Sequence, residues 1–413
     1  MKSTFTQIKM RLIHSFLLFI FLGICTHAAS QSAIYKGRVQ EQFDTKIVVG
    51  AERMDHYLYI LKGKSIAIVA NQTSMVGESH LVDTLLSCGI DIKKVFSPEH
   101  GFRGAADAGE KVKNHKDKKT GLPIVSLYGS QYKPRPEDLA GIDIVIFDIQ
   151  DVGVRFYTYI STMHYVMEAC AENNVKFLVL DRPNPNGFYV AGPIMEEEYT
   201  SFVGLHPVPL VHGMTIAEYA RMINGQGWLK NKVKCDLIHI LCEGYEHSSY
   251  YQLPIRPSPN LPNMKAIYLY PSLGLFEGTF ISVGRGTDYP FQTLGHPDMK
   301  NAKFKFRPKS TAGAKNPPFK GKVCYGHDLR DFSEMILKNY KELYLYWLTG
   351  AYKDSPDKEQ FFNSYFNSLA GNATFKQQII DEVSEDDIAK SWARAVMNYK
   401  RIRKGYLLYP DFE

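Results

Sequence analysis

The amino-acid sequence predicts an α/β fold, because short β-branched apolar runs alternate with polar segments and with helical spacing from about residue 64 onwards. Such alternation is typical of a largely parallel sheet with helices on both faces. Helical spacing predicts two helices, over residues 81–88 and 158–173. The predicted strands cover residues 65–70, 94–96, 124–127, 142–147 and 175–180.

The second half of the chain has fewer signals of regular structure. Thr215, with Glu218 three residues later, forms a capping box that predicts a helix from Ile216. Residues 187–209 and 250–300 are rich in Gly and Pro. We predict an excursion or a linker for the first segment and ordered loops for the second. The last helix should begin after an N-cap at Ser384. Its predicted apolar stripe is Ile388, Trp392, Val396, Tyr399 and Ile402.

The length of 413 residues, 45% of them hydrophobic, exceeds one typical domain. We predict a first domain over residues 45–205 and a second, α+β subdomain over 206–413. Residues 1–30 read as a secretory signal peptide, with basic residues before an apolar run at 12–24 and small residues at 28–30. The expected location is therefore the periplasm or the exterior.

Two features of the signal region bear on membrane attachment. The apolar run is shorter than the roughly 20 residues that a bilayer span needs, so we expect no stable membrane span. Cys25 follows Leu22-Gly23-Ile24, which loosely resembles a lipoprotein cleavage site, but the bulky Ile24 argues against lipidation. A lipoprotein is therefore the less favoured alternative.

Charge, cysteines and glycine motifs exclude several classes of protein. The net charge of +6 includes three basic residues in the signal region, and the remainder does not indicate a nucleic-acid partner. The cysteines after residue 30 show no Cys-x-x-Cys pair, so buried free thiols are expected. Neither dinucleotide- nor phosphate-binding glycine motifs occur, nor a Gly-x-Ser-x-Gly elbow. No cofactor is expected.

Polar side chains follow all five predicted strands. In an open α/β sheet, ligands bind beyond the carboxyl ends of the strands, so these residues should meet at one edge. Their convergence indicates a site, although surface loops are polar in any case. The candidates at this edge are Asn71, Glu99, His100, Arg103, Asp148, Gln150, Asp151, Asp181 and Asn184, and His212 lies further along the chain.

Glycoside hydrolysis requires a proton donor beside the leaving oxygen and a second group that supports the transition state. Glu99 is the preferred donor, with a purely structural turn carboxylate as the alternative. His100 could orient it or bind a hydroxyl group, and Asp148 or Asp151 could supply the second carboxylate. Nearby, Arg155 could bind substrate or pair with those aspartates, and Tyr157 could offer its ring to a sugar, although such aromatics are often core.

A metal site is the competing interpretation of the same edge. It would use His100, Asp148, Asp151, Asp181 and His212. None of these shows a local ligand spacing such as His-x-x-x-His, so we expect no metal.

The second half contributes Glu277, Arg285 and Asp288. Gly284 and Gly286 flank Arg285 and would let the backbone approach a ligand, and the fork of an arginine suits a carboxylate. The alternative is a tight turn in which Arg285 and Asp288 pair with each other.

Several of these segments resemble the NamZ (DUF1343) family of exo-β-N-acetylmuramidases, and the similarity runs from about residue 45 to the C-terminus. The resemblance implies a Rossmann-like domain joined to a second subdomain, with the active site in the cleft between them. It also implies no cofactor, and a catalytic glutamate at Glu99, followed by His100. The segments that carry it are residues 97–104, 147–159, 180–187, 212–215, 258–260 and 277–288.

The implied activity is removal of terminal non-reducing N-acetylmuramic acid from peptidoglycan-derived disaccharides or muropeptides. Two alternatives remain open. One is a metal-dependent cell-wall hydrolase, and the other is a periplasmic muropeptide-binding protein without turnover. A binding protein would have no need of a carboxylic acid at Glu99.

Overall fold

The computed structural model describes residues 46–99, 101–103, 114–332, 334–355 and 357–413. Its strands are β1 (Ser65–Ala70), β2 (Met75–Val76), β3 (Ser79–His80), β4 (Asp91–Ser97), β5 (His115–Lys116), β6 (Pro123–Ser126), β7 (Ile144–Asp148), β8 (Lys176–Leu180), β9 (Ala191–Ile194), β10 (Pro209–Val211), β11 (Leu237–Ile240), β12 (Thr293–His296), β13 (Phe304–Phe306) and β14 (Cys324–Asp328). Its α-helices are α1 (Leu58–Leu61), α2 (Leu81–Ser87), α3 (Pro136–Leu139), α4 (Tyr159–Glu172), α5 (Ile216–Gln226), α6 (Met264–Leu273), α7 (Glu334–Tyr340), α8 (Tyr346–Lys353), α9 (Phe366–Ala370), α10 (Thr374–Ile380) and α11 (Glu385–Lys404).

A seven-stranded sheet with the order β11-β8-β7-β1-β4-β6-β5 forms the centre of the fold. Its neighbouring strands are parallel except for β5, which is antiparallel to β6. The six parallel strands follow the order of a Rossmann-like sheet, in which the chain changes direction between β1 and β7. The predicted α/β class is therefore confirmed, and β11 is a strand that the sequence analysis missed.

Alternate residues of the central strands enter two separate cores, because successive side chains of a strand point to opposite faces. In β1, Ala67 and Val69 belong to one core, while Ile66 and Ile68 belong to the other. All four are fully buried. A strand that is apolar on both faces gives a continuous hydrophobic run, which is why β1 has the bounds that the sequence predicted.

Residues 187–209 are not the predicted linker. Phe188 and its neighbours are buried, and β9 from this segment pairs with β10 in an antiparallel ribbon. Gly and Pro in this segment therefore mark tight packing. The linker prediction is wrong because composition alone does not distinguish a packed turn from a flexible one.

Residues 250–300 are also more regular than predicted, since they contain helix α6. Asn263 caps this helix by accepting a hydrogen bond from the Ala266 amide at 3.0 Å. Pro271 lies inside it and cannot donate to the carbonyl oxygen of Ile267, four residues earlier. The side-chain amide of Asn186 donates to that oxygen instead, at 3.3 Å. A distant side chain thus offsets the helix-breaking residue.

The C-terminal helix α11 begins where predicted, with Ser384 accepting a hydrogen bond from the Asp387 amide. The stripe is shorter than predicted, because Ile402 is 46% exposed. Next to it, Arg403 is buried instead, and its guanidinium donates to the Gly213 carbonyl oxygen at 2.7 and 2.9 Å. The last turn of α11 is therefore held by polar contacts.

Residues Ile47–Glu413 form one compact unit. Strand β11 joins the central sheet from beyond residue 206, while β12–β14 form a separate antiparallel sheet. The predicted boundary between 205 and 206 stays a prediction. Each of the five cysteines after residue 30 has a free thiol, and four of them are buried, as expected.

No helix within the described ranges is long and apolar enough to cross a membrane. The predicted signal peptide over 1–30, Cys25 and His100 lie outside the described residues.

A buried pair of histidines gives an expected pH dependence of stability. Nε2 of His206 lies 3.0 Å from Nδ1 of His164, and the other ring nitrogen of His206 lies 3.1 Å from the Tyr219 hydroxyl oxygen. Burial lowers the pKa of both histidines, and in His206 the neighbouring His164 adds to the effect. The folded protein therefore disfavours protonating them.

Below the unfolded histidine pKa of about 6.5, the unfolded chain binds more protons than the folded one, so the stability that these neutral histidines contribute is lost as the pH falls. We expect the Tm to decrease from about pH 7 to about pH 5, and to decrease less in His206→Gln. Thermal melts of both proteins across this range check the prediction. An equal or steeper decrease in the variant would contradict it.

Candidate active site

Glu99 stands at the carboxyl end of β4, in a turn that the sequence dictates. The chain leaves β4 at Ser97, and Pro98 cannot continue the strand pairing. Gly101 then adopts a left-handed conformation with φ of 80°, and its amide donates to the Pro98 carbonyl oxygen at 3.1 Å. Glu99 is half-buried in this turn.

Two hydroxyl groups lie beside the Glu99 carboxylate. The Thr158 side chain donates a hydrogen bond to it at 3.0 Å, and the Tyr128 phenol lies close enough to interact electrostatically with it. Thr158 lies at the start of α4 and Tyr128 follows β6. Burial and the negative charge of Glu99 together raise the pKa of Tyr128, which keeps the phenol protonated as a donor. Thr158 thus holds the carboxylate, and Tyr128 lies beside it.

A cavity of about 60 Å³ opens beside Glu99. Glu99 and Arg285 are its charged lining residues, and the aromatic rings around it include Tyr157, Tyr159 and Tyr270. Ser258 and Asn260 add polar atoms. The structure therefore brings together three of the predicted site residues: Glu99, Tyr157 and Arg285.

The tyrosines of this cavity form a fixed wall. The Tyr157 hydroxyl donates to the Pro257 carbonyl oxygen at 2.9 Å, and the rings of Tyr157 and Tyr159 meet edge to face with centroids 4.8 Å apart. Burial raises the pKa of both phenols. For Tyr159, the negative charge of Glu99 raises the pKa further. Both phenols therefore remain neutral, and they offer apolar faces with polar edges.

Arg285 pairs with Glu277 and not with Asp288, which is exposed. Nε and Nη2 of Arg285 donate to the two Glu277 oxygens at 2.5 and 3.0 Å, and the guanidinium lies 5.0 Å from the centre of the Phe291 ring. Burial lowers the pKa of Arg285, but the Glu277 carboxylate outweighs this, and the net change is an increase. The alternative of a tight turn in which Arg285 pairs with Asp288 is therefore wrong, because the partner of Arg285 is Glu277.

The backbone around Arg285 requires its two glycines. Gly284 and Gly286 have φ of 77° and 81°, and a Cβ atom on Gly286 would lie 2.4 Å from the Lys309 carbonyl oxygen. The glycines therefore do allow a close approach, but the group that lies against them is the protein's own backbone and not a ligand. The fork of Arg285 is occupied by Glu277, so Nη1 is the guanidinium nitrogen left without a partner among the described residues.

Asp148 does not reach the cavity. It is fully buried, and its carboxylate accepts two hydrogen bonds from Arg182 at 2.6 and 2.9 Å. Gln150 is also buried, and its side-chain amide donates to the carbonyl oxygens of Asp151 and Pro183. Both residues hold the loop after β7 in place.

Removing one partner of a buried ion pair leaves an uncompensated charge, which typically costs about 3–5 kcal/mol. The side chains of Arg182 and Asp148 are 4% and 0% exposed. We therefore expect Arg182→Met to lower the free energy of unfolding by about that amount. Denaturant titration measures the change. A loss below about 1 kcal/mol, as for an exposed pair, would contradict the interpretation.

Asp151 and His212 form a second buried group outside the cavity. Asp151 accepts a hydrogen bond from the Gly153 amide at 2.7 Å, and its carboxylate lies 3.6 Å from Nε2 of His212. Within the described part of the chain, Oδ1 of Asp151 and Nε2 of His212 have no hydrogen-bond partner. No group of three or more possible metal ligands occurs among the described residues.

Three further predicted residues serve the local backbone. Asn71 accepts from the amide and hydroxyl of Thr73 and also contacts the Tyr159 phenol of the cavity wall. Asp181 accepts from the Thr215 hydroxyl and the Ala217 amide at the start of α5. Asn184 contacts the backbone of residues 186 and 214.

Two predicted arginines lie elsewhere. Arg155 is fully buried and donates to the carbonyl oxygens of residues 193, 208, 369 and 370, so it joins distant segments. Arg103 pairs with Asp117 at 2.8 and 3.0 Å on the surface. Neither lines the cavity beside Glu99.

Sequence reasoning missed several residues around Glu99. Thr158, Tyr270, Tyr365 and Tyr128 are not among the predicted site residues. Partial burial and the negative charges of nearby Glu277 and Glu99 raise the pKa of Tyr365 to about 12, so this phenol stays protonated. The available signals were the position of Tyr128 after β6 and the string Ser258-Pro259-Asn260, which contributes two lining residues.

Comparisons with known proteins agree with this architecture. Residues 66–265 match the family model of the N-terminal part of the exo-β-N-acetylmuramidase NamZ, and residues 268–409 match that of its C-terminal part. The chain is 36% identical to the peptidoglycan β-N-acetylmuramidase NamZ of Bacillus subtilis (strain 168), over 96% of this chain and 99% of that protein.

Two crystal structures of DUF1343 family proteins from Bacteroides fragilis NCTC 9343 have the same fold. One is 48% identical with a TM-score of 0.83, and the alignment covers 89% of this chain and 99% of the other. The second is 29% identical with a TM-score of 0.72, and covers 88% and 99%. Both halves of the chain and its fold thus agree: the protein belongs to the NamZ family of exo-β-N-acetylmuramidases.

Proposed function

We propose that the protein is an exo-acting glycosidase that hydrolyses the bond of a terminal non-reducing N-acetylmuramic acid in peptidoglycan fragments. The observation that carries this proposal is the cavity shared by Glu99 and Arg285. It offers a carboxylic acid for proton transfer and a cation for a substrate carboxylate within one small space. Membership of the NamZ family supports the same reaction.

Glu99 donates the proton to the leaving oxygen in this proposal. General acid catalysis requires the acid to be held within hydrogen-bond reach of that oxygen. The hydrogen bond from Thr158 orients the carboxyl group of Glu99, and the Tyr128 phenol lies beside it.

Arg285 recognises the lactyl carboxylate that distinguishes N-acetylmuramic acid from N-acetylglucosamine. The sequence suggested that both oxygens would be bound by the fork, but Glu277 occupies two of its nitrogens. A single charge-assisted hydrogen bond from Nη1 is what the geometry offers. Glu277 then acts by fixing the guanidinium, which lies 5.0 Å from the centre of the Phe291 ring.

The rival to this proposal is a muropeptide-binding protein without turnover. A chromogenic aryl N-acetyl-β-muramide separates the two, with the matching N-acetylglucosaminide as its control. We expect release of the chromophore from the muramide and much less from the glucosaminide. Binding of the muramide, seen by calorimetry, without any release would favour the binding protein.

A metal-dependent hydrolase is the other alternative. Asp148 is paired with Arg182 and Asp181 caps α5, so two of the oxygen ligands considered for a metal have protein partners. We therefore expect activity on the muramide to survive prolonged treatment with a chelator. Loss of activity that zinc restores would make the metal mechanism the better account.

The predicted signal peptide places this reaction in the periplasm or outside the cell, where peptidoglycan fragments occur. Lipid attachment through Cys25 is less favoured, because the bulky Ile24 before it argues against a lipoprotein cleavage site. Peptidoglycan-derived disaccharides or muropeptides are the proposed partners.

A further inference from the structure

Four aromatic side chains lie together on the surface next to Glu99. Three of them, Tyr128, Tyr165 and Phe202, are half-buried, and Tyr132 is 37% exposed. We call this group the aromatic platform. Contiguous aromatic surface that remains open to solvent commonly marks a binding site.

The platform is connected directly to the candidate active site. The Tyr128 phenol lies close enough to Glu99 for the carboxylate to raise its pKa, and the Tyr128 ring lies 6.0 Å from the rings of both Tyr132 and Phe202. Tyr165 is on α4, the helix at whose start Thr158 holds Glu99. Seven residues separate Thr158 from Tyr165, which is about 10 Å along a helix axis. The platform therefore extends outwards from the carboxylate.

Three rings of the platform, those of Tyr132, Tyr165 and Phe202, have similar orientations, whereas the Tyr128 ring stands at 90° to Tyr132 and at 60° to Phe202. Tyr132 and Phe202 have centroids 4.2 Å apart and planes 35° apart. Tyr165 is stacked with Phe202 at 13° and with Tyr132 at 29°. Aromatic side chains present rigid apolar faces, and the apolar C–H face of a pyranose ring can stack on such a surface while its hydroxyl groups stay in water. Lys133 beside the platform is engaged by Glu168 and Glu172, so it offers no unpaired charge.

We propose that the aromatic platform binds the sugar rings of the leaving group, the part of the glycan that remains after the terminal residue is removed. This inference rests on the proposed function, because Glu99 marks the position of the scissile bond. The cavity takes the terminal sugar and the platform takes the next one or two pyranose rings. The enzyme thereby prefers glycan leaving groups over leaving groups without a ring.

The test compares kcat/KM for two substrates that have the same terminal N-acetylmuramic acid. One is its β-fluoride, whose leaving group has no ring, and the other is an oligosaccharide with three further sugars. In the double variant Tyr132→Ala/Phe202→Ala, we expect the ratio of oligosaccharide to fluoride activity to fall about tenfold or more, the effect of one or two lost stacking contacts. Tyr59→Ala removes a 70% exposed aromatic outside the platform and should leave the ratio unchanged.

A conservative variant distinguishes the loss of the ring from a general effect of substitution on folding. Tyr132→Phe keeps the ring and should keep the ratio of the unmodified enzyme. An equal decrease in Tyr132→Phe and Tyr132→Ala would overturn stacking as the cause, as would an unchanged ratio in the double variant. Oligosaccharides with and without stem peptides complete the series. A decrease confined to the peptide-bearing substrates would mean that the platform binds peptide, and would overturn the proposal.

If no muramide is hydrolysed at all, the proposed function fails. If muramides are hydrolysed and the double variant keeps its preference for the oligosaccharide, only the platform inference fails.

Discussion

Glu99→Gln is expected to lower kcat by about 10²–10⁴-fold on a muramide with a sugar leaving group, the contribution that a positioned general acid typically makes. Glutamine is close in size to glutamate and can still accept the hydrogen bond from Thr158, but it cannot donate the proton. A substrate with an activated leaving group needs less protonation and should lose less activity. Steady-state kinetics on both substrates provides the comparison.

The matched control is Glu137→Gln, on the exposed side of α3, which should change neither rate. Equal and small losses on both substrates in Glu99→Gln would mean that Glu99 is a structural turn carboxylate. That outcome would remove the acid from the proposed mechanism, although the fold assignment would stand.

Arg285→Ala is expected to reduce kcat/KM for muramides by about 10–100-fold, because one charge-assisted hydrogen bond to the lactyl carboxylate is lost. Residual activity on glucosaminides should change much less, since those substrates lack the carboxylate. The measured quantity is the ratio of the two kcat/KM values. A variant that keeps its full preference for the muramide would exclude Arg285 as the specificity residue.

Two further variants control for the Glu277 carboxylate that Arg285→Ala leaves unpaired. Glu277→Gln keeps the charge of Arg285 and an acceptor for it, so the muramide preference should largely survive. Arg330 also binds a carboxylate through two of its nitrogens. That carboxylate belongs to Asp328, and the pair lies outside the cavity. Arg330→Ala should therefore leave the preference unchanged, and a decrease there would point to a general effect of breaking ion pairs.

The central sheet was predictable from sequence because the burial of each strand is visible in the hydrophobicity of that strand's own residues. A strand buried on both faces must be apolar throughout, and β1 has the bounds that this rule gives. Glu99 was predictable for a related reason, since the carboxyl ends of parallel strands gather at one edge. Helix α6 was missed because its proline is compensated by Asn186, which is 81 residues away from the carbonyl oxygen it reaches.

The rest of the site depended on pairings that local sequence does not contain. Asp148 stands at a strand end just as Glu99 does, but its partner Arg182 is 34 residues away and buries it in an ion pair. Arg155 reaches carbonyl oxygens more than 200 residues along the chain. Whether a polar strand-end residue faces a cavity or a buried partner is decided by such long-range contacts.

The most direct test of the account uses two isomeric disaccharides. One has N-acetylmuramic acid at its non-reducing end and N-acetylglucosamine at its reducing end, and the other has the reverse order. We expect the protein to release free N-acetylmuramic acid from the first disaccharide, to leave the second intact, and to lose the first activity in Glu99→Gln. Hydrolysis of both isomers at equal rates, or of neither, would contradict it.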